Sequence, residues 1–466
     1  MFQAIHHHLY DYAGGYMFVV LGFVLFSGFP VGLVLGGVAL IFAGLGISLG
    51  LMSPVELFLF VDRLWQNGAN NQLLVAIPCF VFMGIMLERS DVASSLLRVL
   101  QIMLRRTPGG LALAVTLLGT IMAATTGIIG ASVVMLSMMA LPTMIEQGYD
   151  KKLACGTIAA SSTLGILIPP SVMLVMMADL MSLAVGDLFL AAILPGLTLS
   201  ALYCLYIAGA AWWNPKVAPP VELTDAESEG GLARLVVRAF VPPVVLISLV
   251  LGSIFAGWAT PTEASGVGAA GAIVLAWMNG KLNRATLDYV AVRTAATSAM
   301  IFLIFAGATA FSYVFRALYG EDLIHEFINW MGLGSWGLLI LLMGVIFLLG
   351  FFFDWIEITL IILPVFAPVI AKYAPAFAPT LGIEALAATD QKSMVLIWFA
   401  TLVAVNLQTS FLTPPFGFAL FFLKGTAPPS IKISDIYRGI IPFVIIQVVG
   451  LGLCILVPAL ALAPLR

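Results

Sequence analysis

Long apolar runs separated by short polar loops organise this chain from end to end. A helical span needs about 20 apolar residues. The first run, Tyr16–Gly50, is too long for one upright span, because as helix it would extend about 52 Å. It is either one strongly tilted helix or two short ones turning near Ser27–Pro30. An amphipathic stretch follows at Leu57–Gln66, then a span at Leu73–Leu87. Leu111–Met144 is apolar, with Gly127 and Gly130 in its middle. Further spans are expected at Leu153–Ile168, Leu188–Trp213, Leu235–Phe255, Ala264–Met278, Thr294–Leu318, Gly337–Phe353, Ile358–Ile370, Met394–Leu412 and Ile440–Ala463. Arg316–Trp336 reads as a mostly acidic loop and Lys372–Lys392 as a loopy insert. A polar linker, Asn214–Gly231, carries Glu222, Asp225, Glu227 and Glu229 and splits the chain almost in half. Asn283–Ala291 reads, like Leu57–Gln66, as a hinge or arm at a membrane surface.

Composition fixes the solvent. Of the 466 residues 62% are hydrophobic and only 9% charged, against about 25% charged in an ordinary soluble domain. With a mean hydropathy of +1.11, the chain cannot cover a globule with polar surface. A soluble enzyme, a nucleic-acid binder and a disordered scaffold are excluded, and the lipid bilayer becomes the partner. Barrel strands alternate polar and apolar residues; these runs do not. The expected class is an all-α polytopic membrane protein.

The net charge of −3 decides nothing, but its distribution does. Arg98/Arg105/Arg106, Lys151/Lys152, Lys216/Arg234/Arg238, Lys281/Arg284/Arg293 and Lys424/Lys432/Arg438 form basic loops, which the positive-inside rule places in the cytoplasm. Leu111–Met144 then starts and ends on the same side. Each of its arms would span about 24 Å, short of the ~30 Å hydrocarbon core. It reads as a re-entrant helical hairpin. Gly337–Ile370 reads as a second one, entering from the opposite face.

The segments after the two hairpins correspond. One holds Ser161-Ser162-Thr163-Leu164-Gly165-Ile166-Leu167-Ile168-Pro169-Pro170-Ser171, the other Asn406-Leu407-Gln408-Thr409-Ser410-Phe411-Leu412-Thr413-Pro414-Pro415-Phe416. Each follows a Leu-Pro pair, Leu141–Pro142 or Leu363–Pro364. The halves form an inverted repeat, each with a re-entrant hairpin and a broken transmembrane helix, a signature of secondary transporters. Paired prolines in mid-membrane remove two donors and break the helix. The freed carbonyls are tolerated where they line a cavity or coordinate a cation. Together with the hydroxyl and amide oxygens beside them, they suit a hard cation such as Na⁺. Asp354 and Glu357, at the second hairpin's tip, are acids at membrane depth; they are functional by default, or solvated if the tip is wet.

Ordered motifs carry a resemblance over nearly the whole chain. They are Gly28-Phe29-Pro30-Val31, Leu74-Val75-Ala76-Ile77-Pro78-Cys79-Phe80 with Gly84, Gly148-Tyr149-Asp150, Gly165-Ile166-Leu167-Ile168-Pro169-Pro170-Ser171, Ala259-Thr260-Pro261-Thr262-Glu263-Ala264, Gly350 with Asp354, Asn406, and Thr413-Pro414-Pro415-Phe416-Gly417. The chain resembles the large membrane subunit of tripartite ATP-independent periplasmic (TRAP) transporters. The resemblance implies scaffold regions carrying a mobile, elevator-type transport core. It also implies Na⁺-driven uptake of a small organic anion, typically a carboxylate, with no cofactor beyond the coupling ion. The implied partners are a periplasmic substrate-binding protein and a small four-helix membrane subunit, and the implied place is the bacterial inner membrane.

On this reading residues 1–107 are N-terminal scaffold helices. Residues 108–213 are the first transport repeat, with its hairpin at 110–148 and broken helix at 153–180. Residues 214–336 are linker and second scaffold, and 337–466 the second repeat, with its hairpin at 337–371, its broken helix at 393–424 and a C-terminal helix. One cation site is expected where Thr126, Gly127 and Ser132 face Ser161, Ser162 and Gly165. A second is expected where Gly350 and Asp354 face Asn406, Thr409 and Ser410. Substrate is expected near Pro169, Pro170, Ser171, Thr413, Pro414 and Pro415. The chain departs from the family at the first hairpin's tip, which reads Thr126-Gly127-Ile128-Ile129, and at Ser410, where a glycine is usual.

A stand-alone dicarboxylate carrier of similar fold is the nearest alternative; the Thr260–Ala264 stretch counts against it. A membrane-embedded enzyme lacks its parts. The Gly-rich match Gly266–Gly271 follows no strand and reads as helix packing. Apart from His6, His7 and His8, the only histidine is His325, so no nucleophilic triad or metal set forms at membrane depth.

Overall fold

The computed structural model describes residues 2–126, 129–220, 236–414 and 417–465. Their regular structure is helical throughout. The first apolar run is two helices, Phe2–Leu25 (α1) and Val31–Ser48 (α2), broken at Gly28, whose φ of +81° turns the chain into Pro30. Glu56–Leu64 (α3), Ala76–Arg89 (α4) and Val92–Leu104 (α5) follow. The first hairpin is Gly110–Thr126 (α6) and Ile129–Glu146 (α7). The first broken helix is Lys151–Thr163 (α8), a 3-10 turn Leu164–Ile166 and Val172–Leu180 (α9). Then come Val185–Trp213 (α10), Val241–Phe255 (α11), Pro261–Met278 (α12), Arg284–Ala317 (α13) and Gly320–Trp330 (α14). The second hairpin is Ser335–Leu349 (α15) and Trp355–Lys372 (α16). Ala374–Leu381 (α17) precedes the second broken helix, Ala388–Leu412 (α18) and Phe418–Thr426 (α19). Ile433–Leu456 (α20) and Ala459–Leu462 (α21) close the chain. Among the described residues nine helices are long and apolar enough to cross a membrane.

Three expectations are corrected. The acidic stretch after Arg316 is not a loop: it holds α14, whose axis turns 115° into α15. Asn283–Ala291 is no separate arm, because α13 continues from Arg284 through the span for 34 residues. The insert Lys372–Lys392 is partly helical, through α17 and the start of α18. Of the linker Asn214–Gly231, residues 221–231 lie outside the described residues.

The chain divides into two compact units. The first comprises 1–74, 296–342 and 355–395. Glycine lets its helices touch by backbone: a side chain on Gly307 would strike the Gly32 carbonyl, and one on Gly14 would meet Gly320 Cα at 2.7 Å. Phe18 sets its ring edge-on against Phe311 and Phe315 at 5.4 and 5.0 Å. Such small-residue crossings replace the hydrophobic drive that lipid cannot supply. Pro368 lies inside α16 and has no N–H for the Pro364 carbonyl, one turn back. Arg316 Nη2 donates to that carbonyl at 3.0 Å, while its Nε meets Glu321 Oε1 at 2.8 Å.

The second unit comprises 75–295, 343–354 and 396–466. Here the Gly-rich stretch of α12 packs helices, as its sequence indicates. Gly268 lies against Met83 Sδ of α4, 2.7 Å from where a Cβ would stand, and Gly271 against Leu246 of α11. The Thr260–Ala264 stretch starts α12 with a capping box: Glu263 N donates to Thr260 Oγ1 at 3.3 Å, and Thr260 N donates to Glu263 Oε2 at 2.8 Å. Pro261 sits at the first helical position, where its missing N–H is harmless. Thr260→Ala is expected to destabilise the folded protein by about 1 kcal/mol, read as a lowered melting temperature in detergent; an unchanged value would refute the role.

Candidate functional site

Gly148-Tyr149-Asp150 anchors the base of the first hairpin. Gly148, at φ +79°, turns the chain out of α7. The Tyr149 hydroxyl accepts from Leu111 N at the start of α6, 3.2 Å away. Asp150 Oδ1 caps α8, accepting from Lys152 N at 2.8 Å and Leu153 N at 3.2 Å. Two side chains and one glycine turn thus fix the entrance of α6, the exit of α7 and the start of α8.

At the first break one of the freed carbonyls, that of Ile166, is met locally. Pro169 and Pro170, joined by a cis bond, follow the 3-10 turn. Pro170 cannot donate to Ile166 O. The buried Ser171 hydroxyl donates there instead, at 2.6 Å, and its oxygen also caps α9 through Leu174 N at 3.5 Å. The second break works in the same way: Thr413 Oγ1 donates to Thr409 O at 2.7 Å and Thr413 N to Ser410 O at 3.1 Å. Gly417, at φ +42°, then turns the chain into α19. Breaks of this kind need shelter from lipid, and the most apolar window of α18 is buried over its whole length.

Ser161 and Asn406 each stand eight residues before a Pro-Pro pair. In the structure each reaches the leading arm of its own repeat's hairpin. Ser161 Oγ donates to Thr116 Oγ1 of α6 at 3.3 Å, and Asn406 Nδ2 donates to Met343 O of α15 at 2.7 Å. Both residues are buried. Close approach accompanies each bond: a Cβ on Gly119 of α6 would stand 2.8 Å from Ser161 O, and one on Gly350 would strike the Ser410 side chain. Gly350 and Ser410 are therefore in close contact at the second hairpin's tip. Ser162 and Thr409 are buried on the same helices, their hydroxyls donating to Ile158 O at 2.7 Å and Val405 O at 3.5 Å. Gly165 and Ser132 are buried, Asp354 is half-buried, and Thr413 lies part-buried beside the exposed Pro414. Gly127, Pro415 and the Thr126 side chain lie outside the described residues.

Several polar residues of this region escape a reading of the sequence. Thr120 of α6 bonds Ser200 of α10 at 2.6 Å, extending the polar contact that Thr116 makes with Ser161. Gln447 Nε2 of α20 donates to Thr163 Oγ1 at 3.4 Å, beside the buried Tyr203. The Gln408 amide, fully buried on α18, has no partner among the described residues for either of its polar atoms. The signal for them in the residue order is slight: Thr116 and Thr120 are spaced one turn apart, which puts two hydroxyls on one helix face.

Comparison with known proteins agrees with this architecture. Residues 18–460 match the family described as "Tripartite ATP-independent periplasmic transporter, DctM component". The C4-dicarboxylate TRAP transporter large permease protein DctM of Rhodobacter capsulatus is 28% identical over 91% of this chain and 96% of its own length. The ectoine TRAP transporter large permease protein TeaC of Halomonas elongata is 26% identical over 94% and 96%. The isethionate TRAP transporter permease protein DctMQ of Oleidesulfovibrio alaskensis is 26% identical over 94% of this chain but 65% of its own. In fold, the YdaH transporter of Alcanivorax borkumensis is similar, with a TM-score of 0.62, 16% identity and coverage of 87% and 89%. Paired hairpins, paired broken helices and a family match over almost the entire length make this multi-pass membrane protein a member of the TRAP transporter large permease family.

Proposed function

We propose that the chain is the transport subunit of a Na⁺-coupled importer of small organic anions in the bacterial inner membrane. One observation carries the reading. Ser161 and Asn406, at equivalent places before the two breaks, each bind the leading arm of their own hairpin. A pair of such joints, rich in hydroxyls, amide oxygens and loosened carbonyls, suits two small hard cations. The first site gathers Thr126, Gly127, Ser132, Ser161, Ser162 and Gly165; the second gathers Gly350, Asp354, Asn406, Thr409 and Ser410. Substrate lies between them at Pro169, Pro170, Ser171, Thr413, Pro414 and Pro415. Helix N-termini beginning just after the breaks favour a carboxylate without a buried arginine. Relatives named for C4-dicarboxylates, isethionate and 2,3-diketo-L-gulonate support an organic anion as cargo.

The repeats at 108–213 and 337–466 form the moving core, and 1–107 with 214–336 the scaffold. A periplasmic binding protein delivers the substrate, and a small four-helix membrane subunit completes the permease. The test is thermal unfolding in detergent, in NaCl against choline chloride at equal ionic strength. An ion that binds only the folded state stabilises it by about 2.7 kcal/mol at a hundredfold excess over Kd. A Na⁺-specific rise is expected, abolished in Ser161→Ala and Asn406→Ala. A rise equal in choline, or one untouched by both substitutions, would refute the sites. Uptake into proteoliposomes without any binding protein would favour a stand-alone carrier.

A further inference from the structure

A cleft of about 790 Å³ opens in the second unit, at one end of α5, α11 and α12. Its position follows from helix ends. Arg238 stands in the π-helical turn Val236–Phe240 that leads into α11, and α12 ends at Met278. Asn279 Nδ2 donates to Ser90 O at 2.9 Å, tying that end to the α4–α5 turn. The walls are apolar, with Val99, Pro242 and Leu275 among them, and Trp277 stands at the mouth, 69% exposed. The cleft is also lined by Arg98, Arg238 and Lys281 against the single acid Asp91. Lys281 Nζ is paired to Asp91 Oδ2 at 2.6 Å. Arg98 and Arg238 make no ion pair with a described residue.

We propose that this cleft holds one anionic phospholipid, its headgroup phosphate between Arg98 and Arg238 and an acyl chain along Val99, Pro242 and Leu275. The observations exclude simpler occupants. A free phosphate would use the arginines but leave the apolar wall wet. A lipid without net charge would use the wall and only partly offset the two guanidinium groups, which make no ion pair with a described residue. The depth is right as well: an exposed tryptophan at a helix end marks the headgroup level, and the basic loops assign this end to the cytoplasmic leaflet. Planar guanidinium groups match phosphate oxygens two at a time. Basic pockets between helices on this side are places where anionic headgroups dock. The site is independent of ion coupling, and its test does not involve transport.

Delipidated protein in detergent is titrated with phosphatidylglycerol, phosphatidylcholine or inorganic phosphate, and bound adducts are read by native mass spectrometry. One phosphatidylglycerol is expected to bind preferentially, with no competition from millimolar phosphate. R98Q/R238Q is expected to weaken it about 30-fold, the product of two arginines near an anionic surface. Phosphatidylcholine, whose ammonium offsets its phosphate, should bind more weakly and change less, and R98K/R238K, which keeps the charge but not the two-point match to phosphate, should fall between wild type and R98Q/R238Q. The variant R106Q/R284Q, with both substitutions outside the cleft, should bind as wild type does. Equal affinity in R98Q/R238Q would overturn the proposal. So would displacement of the lipid by phosphate, or an equal loss in R106Q/R284Q, which would mark general surface charge. Melting temperatures without lipid confirm that each variant is folded.

Discussion

Gly156→Leu is expected to abolish the folded protein, and Gly156→Ala to lower its stability by about 3 kcal/mol or more. At this crossing α8 and α20 meet backbone to backbone. A Cβ on Gly156 would collide with the Gly439 carbonyl, and one on Gly439 with the Lys152 carbonyl. Neither neighbour is the end of a flexible side chain, so the helices themselves must part. Overpacking a tight interior typically costs 1–3 kcal/mol when side chains can yield; here they cannot. Size-exclusion profiles and melting curves in detergent measure the effect. Gly209→Ala on α10 is the control, because nothing lies within 4 Å of its Cβ position. That substitution should leave stability unchanged or raise it through helix propensity. Equal behaviour of the two alanine variants would mean that the crossing is looser than described. Ser161 lies on α8 beyond this crossing, so the same contact holds one candidate ion ligand in place.

The second large effect is expected at the tip of the second hairpin. Gly350 is not in the left-handed backbone region, and the obstacle to a larger residue is the Ser410 side chain. Gly350→Ala alone should destabilise by about 3 kcal/mol. Ser410→Gly alone should cost about 1 kcal/mol, as glycine within a helix does. Combined, the two should be far less harmful than their sum, because the next neighbour of the new methyl is Ile346 O at an ordinary 3.4 Å. A coupling of about 2 kcal/mol in the double-mutant cycle is expected, within the range seen for touching residues. Simple additivity would show that Gly350 and Ser410 do not meet. The cycle also addresses why this chain tolerates serine at that place: its partner supplies the missing space.

Much of this could be read from residue order. Apolar runs located the spans, because lipid demands length and hydrophobicity. Pro169–Pro170 and Pro414–Pro415 located the breaks, because proline has no N–H to give. Gly28 and Pro30 marked the turn in the first run. Amphipathic and acidic stretches misled, since a helix lying beside a span and a helix continuing it share one composition; α13 and α14 are the examples. Partners across helices were hidden altogether. Nothing in the order of residues says that Asn406 will find the Met343 carbonyl or Ser161 the Thr116 hydroxyl, because those meetings depend on how separate helices cross. Tyr203 and Gln447 looked like ordinary members of apolar runs for the same reason.

The bond from Arg316 to the Pro364 carbonyl has a consequence for how this sequence can drift. That oxygen needs an outside donor only while Pro368 lacks one. Losing the arginine first strands the oxygen, and selection opposes the step. Losing the proline first strands nothing, since a new N–H at 368 can serve the same acceptor. Divergence at these two positions therefore has a preferred direction: descendants that lack the guanidinium should already have exchanged Pro368, while the reverse combination can persist.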